Sequence, residues 1–297
     1  MMRARPAAGP GGAAMRLAVG LAGVALIWQA LALAVPGMYI VAGPAAVAEE
    51  LAANTGLYGR ALWATLRAAA AGFVIGNAVA IALAALALLV PRADRVIAGL
   101  ALFVFCLPLV ATGPVLRVLY GPGIGPQVTL AALAVFYTTF VPVLVGLRAV
   151  PAGWLDLVAS YGRGRLAALW HVRARAALPY LVAGLQIAAP AAFLGAMVGE
   201  FTGAERGLGV LTLRAMRDLD VAATWTLAGI AAAVTIAANA GIGLAARRIL
   251  AEPAPLLTVP PATRPPAGAA PALLNTAATL AVVLTLWWGL VELFGLN

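Results

Sequence analysis

Asp156-Leu157-Val158-Ala159-Ser160-Tyr161-Gly162, followed at a short distance by Trp170-His171-Val172-Arg173-Ala174-Arg175-Ala176-Ala177-Leu178-Pro179, interrupts an otherwise apolar chain. Long uncharged stretches lie on both sides of this charged, glycine-punctuated elbow, which occupies residues 149–179. The elbow reads as two helices. Pro151 suits a helix start, where a missing N–H costs nothing. Asp156 is expected in the first turn, favourable for the helix dipole. Gly162 and Gly164 permit a sharp change of direction. A second, basic helix is expected over 165–177, with Pro179 opening the next apolar segment. An ordinary basic loop is the alternative, but more than 30 residues exceed what two neighbouring spans need.

The rest of the chain fixes the solvent. Hydrophobic residues make up 64% of it and charged residues 10%, against about 25% charge in a soluble domain. Seven stretches are long enough to cross a hydrocarbon core: 17–35, 68–90, 96–116, 128–147, 181–201, 221–246 and 273–291, each near the roughly 20 apolar residues a spanning helix requires. Runs rich in Ala, Gly and Leu favour helices over a β-barrel. The expected fold is therefore an all-α integral membrane bundle of about six core helices plus a seventh near the C-terminus.

All 19 basic residues are arginine, and their distribution sets the expected topology. With the N-terminus inside, 13 arginines fall on inner segments and 6 on outer ones. The elbow then faces the cytoplasm, and residues 36–59 and 200–220 face outward. The first stretch is read as an uncleaved helix rather than a signal peptide, because 19 apolar residues are long for one. The arginines sit at span ends and form no basic stripe with interleaved aromatics, so nucleic acid is not an expected partner; the lipid membrane is.

The missing residue types exclude chemistry. A phosphate-binding loop of the Walker type needs a lysine, and there is none. The single serine, Ser160, and single histidine, His171, lack a carboxylate orienter and a Gly-x-Ser-x-Gly turn. One His and one Cys cannot assemble a metal site. No cofactor and no catalytic residue are expected, and Cys106 is read as a buried packing residue.

The elbow resembles the Glu-Ala-Ala loop of binding-protein-dependent ABC transporter permeases. Asp156-Leu157-Val158 stands in the triplet's place, Gly162 falls six residues after Asp156, and Val172-Arg173-Ala174-Arg175 occupies the Ile-x-Leu-Pro places, with Arg175 replacing the proline. Leu178-Pro179-Tyr180, Gly184-Leu185-Gln186-Ile187-Ala188, Val198-Gly199-Glu200-Phe201 and Arg206-Gly207-Leu208-Gly209 resemble the nitrate, sulfonate and taurine branch. So do Ala64-Thr65-Leu66-Arg67, Leu107-Pro108 and Tyr120-Gly121-Pro122-Gly123-Ile124-Gly125 upstream. The resemblance covers roughly 60–248. It implies a type I importer permease bundle, a second permease copy or tandem partner, two cytoplasmic ATP-binding cassette subunits and an extracytoplasmic solute-binding protein. It also implies a coupling helix within 156–169, with Asp156, Ala159, Gly162, Arg163, Arg165 and Leu169 as ATPase contacts, and a small solute such as a sulfonate, taurine or nitrate as cargo.

Domain organisation follows: a cytoplasmic tail at 1–16, a first helix with its outer segment at 17–59, a permease core at 60–250 containing the coupling loop, a linker at 251–272 with seven prolines, and an extra helix at 273–297. That last helix ends in Trp287-Trp288-Gly289-Leu290, similar to the opening of a permease domain; a second copy's first helix and a simple accessory helix both fit. Arg67, Asn77, Gln186 and Glu200 are the candidate substrate-pathway residues. For Asn77, Gln186 and Asn239 a helix–helix hydrogen bond is the alternative, and for Arg67 it is snorkelling to the interface. A secondary transporter or channel of another helical fold would need charges at mid-membrane, which are scarce.

Overall fold

The computed structural model describes residues 23, 26–30, 32 and 41–249. The seventh helix and its linker lie outside the described residues, as does most of the expected first span. Among the described residues every regular element is helical. The elements are α1 (Pro44–Ala53), α2 (Thr55–Leu89), α3 (Pro91–Cys106), α4 (Leu109–Tyr120), α5 (Gly125–Arg148), α6 (Ala152–Ser160), α7 (Arg165–Ala168), a π-helical turn (Leu169–Arg173), α8 (Ala174–Glu200), α9 (Leu208–Arg217) and α10 (Val221–Ile249). α2, α5, the continuous run Arg165–Glu200 and α10 are each long and apolar enough to cross a membrane.

The expected span at 96–116 is not straight. α3 and α4 meet at an angle of 97° across Leu107 and Pro108. Leu107 is extended at ψ 127 and Pro108 at ψ 101, the conformation that a residue before proline favours and that a proline lacking its N–H permits. The pair nonetheless behaves as one broken span. Added side chains at Gly72 and Gly76 on α2 would meet Ala131 and Ala132 on α5, and Ala80, Ala84 and Ala87 share a core with Phe136, Phe140 and Leu144. Residue numbers rise together along both helices, so α2 and α5 are parallel. The intervening chain must return across the bundle.

α8 runs antiparallel to α5: Gly184 lies against Thr138 and Thr139, Gly195 against Leu130 and Ala131, and Gly199 against Gln127. These small residues let backbones approach, the usual way helices pack where lipid offers no hydrophobic drive. The core is layered along the axis. One cluster gathers Ala61, Ala68, Phe193, Met197, Leu208 and Leu227 at one end. A second gathers Ile97, Phe140, Leu147, Leu169 and Ala177 at the elbow end. Val135, Ala188 and Ala192 bridge them.

Two expectations are corrected. Pro179 does not begin a new element: helix continues from Arg165 to Glu200 with Pro179 and Pro190 inside it. The Gln186 carbonyl that Pro190 leaves without a helical donor accepts from Asn239 Nδ2 on α10, and Pro179 lies on an exposed face. Cys106 is exposed on this chain, not buried, because α3 buries only Ile97 and Ala101.

Candidate functional site

The elbow is built from a short helix and one left-handed turn. Pro151 is the N-cap of α6, with φ −58 and ψ 144. Asp156 falls in the second turn and not the first, since the helix opens at Ala152. Past Ser160 the chain reverses through Tyr161 and Gly162. Gly162 N–H donates to the Ala159 carbonyl (2.9 Å) and Arg163 N–H to the Val158 carbonyl (3.2 Å). That reciprocal pair is a Schellman closure, and Gly162 takes its left-handed position at φ 69. Gly164 is ordinary extended backbone, so the reversal belongs to Gly162 alone. α7 then leads through the π turn into α8 as one rod of 36 residues, about 54 Å long at 1.5 Å per residue.

α6 buries none of its residues. Trp154, Leu157, Tyr161, Leu166 and Trp170 are all exposed, Tyr161 at 78% and Trp170 at 69%. Asp156, Ala159, Gly162, Arg163 and Arg165 are exposed with them. Leu169 is not: it is buried against Leu147 and Ala177 in the elbow-end core. The reason is the π turn, which roots the elbow by that side chain while Arg173 Nη1 donates to the Leu147 carbonyl at 2.9 Å. That carbonyl is one of the last in α5, which helix geometry leaves without an internal partner. Beside these, Arg148 Nη2 donates to Asp94 Oδ1 at 2.6 Å and joins the end of α5 to the start of α3. A cleft of about 330 Å³ separates the end of α2 from the elbow, lined by Leu88, Leu89, Leu155, Val158, Arg163 and Arg173.

The four candidate pathway residues are not gathered. Arg67 is exposed on α2. Asn77 is buried; its Nδ2 donates to the Phe73 carbonyl (2.7 Å) and its Oδ1 accepts from Thr139 Oγ1 (2.6 Å), tying α2 to α5. Gln186 offers its backbone carbonyl to Asn239 Nδ2 at 2.9 Å, tying α8 to α10. Glu200 is only 3% exposed, with both carboxylate oxygens engaged: Oε1 accepts from Thr65 Oγ1 (2.7 Å) and Oε2 from Gly209 N–H (2.6 Å). Among the described residues no three His, Cys, Asp or Glu side chains gather to hold a metal. Sequence reasoning assigns no role to Thr65 or to the exposed aromatics of the elbow. Trp154, Tyr161 and Trp170 in a charged loop are a legible signal; Thr65 stands in the Ala64-Thr65-Leu66-Arg67 resemblance, which does not reveal its partners, because they lie 135 and 143 residues away.

An exposed, helical elbow rooted on a bundle of spans is also where the chain matches known proteins. Residues 76–251 match the family of binding-protein-dependent transport system inner membrane components. The chain belongs to that family. The permease is 30% identical over 197 residues to a probable ABC transporter permease protein of Haemophilus influenzae, covering 66% of this chain and 80% of the relative. It is 29% identical over 201 residues to the riboflavin transport system permease protein RibX of Chloroflexus aurantiacus, covering 67% and 75%. It is 31% identical over 139 residues to the taurine transport system permease protein TauC of Escherichia coli, covering 47% and 50%. This permease is thus a membrane component of an ABC importer and not an enzyme, and the family works with ATPase subunits and a binding protein.

Proposed function

We propose that α6 is the coupling helix on which cytoplasmic ATPase subunits push, and that the chain forms the path of a small solute with a second permease copy. The observation that carries this reading is an unburied helix presenting Trp154, Leu157 and Tyr161, held at a fixed angle by the Gly162 closure to a rod that runs into the bundle. Exposed aromatics clustered on one short element are the usual anchors of a protein interface. The elbow end of the described residues carries Arg92, Arg95, Arg148, Arg163, Arg165, Arg173, Arg175, Arg247 and Arg248, which supports a cytoplasmic elbow and N-terminus in a bacterial inner membrane.

The relatives carry different cargo: one is named for riboflavin and another for taurine. Arg67 favours an anionic solute here. It is exposed on α2 one residue before the expected 68–90 span, at the end of the bundle that the arginine count places outside, where a solute arrives. The test is co-purification. The tagged permease carries ATPase subunits with it, and Trp154→Ala with Tyr161→Ala releases them while the permease stays in the membrane. Retention of the ATPases by the double variant would reduce the elbow to a connecting loop.

A further inference from the structure

Glu200 has no route to a solute in this structure, because both its oxygens are taken by the protein itself. Its partners show another use. Thr65 Oγ1, on α2, donates to Glu200 Oε1 and accepts the Leu208 backbone N–H at 2.9 Å. Glu200 Oε2 takes the Gly209 N–H. These two N–H groups belong to the first turn of α9, where a helix has no partners of its own. A carboxylate at the end of α8 and a hydroxyl on α2 therefore close the start of α9 together. Gly207, at φ 143, lies so near that any Cβ there would collide with the Glu200 carboxylate. Leu208, Met197, Ala61 and Ala68 wrap the junction in apolar surface. The far end of α9 is fixed as well: Asp220 N–H donates to the Ala215 carbonyl at 2.9 Å, and Asp220 Oδ1 accepts the Ala223 N–H at 3.0 Å.

We propose that Glu200, with Thr65, is a positioning residue that fastens the outer helix α9 to the ends of α2 and α8, so that a push at the elbow reaches the outer surface through one rigid body. The inference rests on the coupling reading of α6. The rod from Arg165 to Glu200 has the elbow at one end and this clamp at the other. Beyond the clamp, α9 leaves Arg214, Met216 and Arg217 exposed, at the end of the bundle that the arginine count places outside, where a binding protein would arrive. Coupling between distant sites needs a physical element that both ends bias. The clamp makes α9 part of that element.

The test uses the permease assembled with its ATPase subunits in lipid nanodiscs. In a Cys106→Ala background, spin labels at Arg214→Cys on α9 and Leu194→Cys on α8 report their separation by pulsed electron resonance. Labelled chains are diluted with unlabelled ones to remove distances between copies. The parent is expected to hold one narrow separation, the same without nucleotide and after trapping with ATP and vanadate. Thr65→Val, which keeps side-chain shape, and Glu200→Gln, which turns one acceptor into a donor, are expected to lose it: the separation broadens or shifts on trapping while the ATPases remain bound. A parent separation that changes on trapping overturns the inference, and so does a variant separation that matches the parent in both states. If Glu200→Gln fails to assemble, Thr65→Val decides alone. Failure of ATPase subunits to bind the parent would instead overturn the coupling reading, and this inference with it.

Discussion

Replacement of Gly162 isolates the lever's geometry from its packing. The residue sits at φ 69, and an added Cβ would find nothing within 4 Å. No steric term beyond the backbone is therefore expected, and Ala and Leu should cost the same. The cost is that of holding an L-residue in the left-handed region, about 1–2 kcal/mol. It falls on the closure between α6 and α7 and not on the bundle, because α6 buries nothing. A protein whose binding-competent state loses population binds more weakly by that factor, and about 1.4 kcal/mol corresponds to a tenfold change. Titration of labelled ATPase subunit onto nanodisc-embedded permease should thus show weaker docking, by equal factors of up to about tenfold, for Gly162→Ala and Gly162→Leu alike, the full factor being reached when the closure of an isolated elbow is marginal. Gly162→Asn should fall between them and the parent, since asparagine visits this region more readily. Membrane insertion and melting temperature should not move. A Leu variant far weaker than the Ala variant would mean the turn is closely packed, and parental docking by both would refute the argument that this closure sets the elbow's angle.

Three further outcomes are expected. Sulfhydryl labelling in a Cys106→Ala background should reach Tyr161→Cys only from the cytoplasmic side and Arg206→Cys only from the outside; labelling of both from one side would overturn the arginine count. Gly199→Ala should destabilise the bundle by about 1–3 kcal/mol, the range for overpacking, because its Cβ would lie 2.6 Å from Gln127 Cα, whereas Gly59→Ala, with open space around it, should leave the melting temperature unchanged or raise it. Leu219→Gly should raise that temperature, since Leu219 occupies the left-handed position after α9 at φ 55 while 80% exposed, so the swap relieves about 1 kcal/mol of strain and gives up no buried contact; a lower melting temperature would show that the leucine makes a contact in the assembled protein.

Much of the fold was legible because its signals are local. Residues 128–147 and 221–246 were recognisable as spans from composition alone and lie inside α5 and α10, and 181–201 overruns the end of α8 by one residue. Gly162 was recognisable as a turn because few residues other than glycine sit at positive φ. The site was less legible. Leu169 reads from the sequence as an elbow contact, yet the π turn rotates it into the core with Leu147 and Ala177. Asp156 lies in the second turn whether Pro151 is the N-cap or the first helical residue; the first-turn expectation needs a helix that opens beyond Ala152, and no local signal marks the true start.

The sequence by itself determined that the chain lives in a membrane, that it is helical, that it cannot hydrolyse ATP, and that a charged elbow breaks its spans. Hydropathy, residue types and spacing carry that information, since each depends on a residue's own chemistry and its near neighbours. Tertiary structure decided what distant residues do to one another: the parallel course of α2 and α5, the break between α3 and α4 as a single crossing, and the use of Glu200. A carboxylate at the end of a span reads equally as a solute ligand or as a cap. Only the arrival of Thr65 from α2 and of the Leu208 and Gly209 amides from α9 chooses between them, because a buried carboxylate takes the donors that the fold brings within reach.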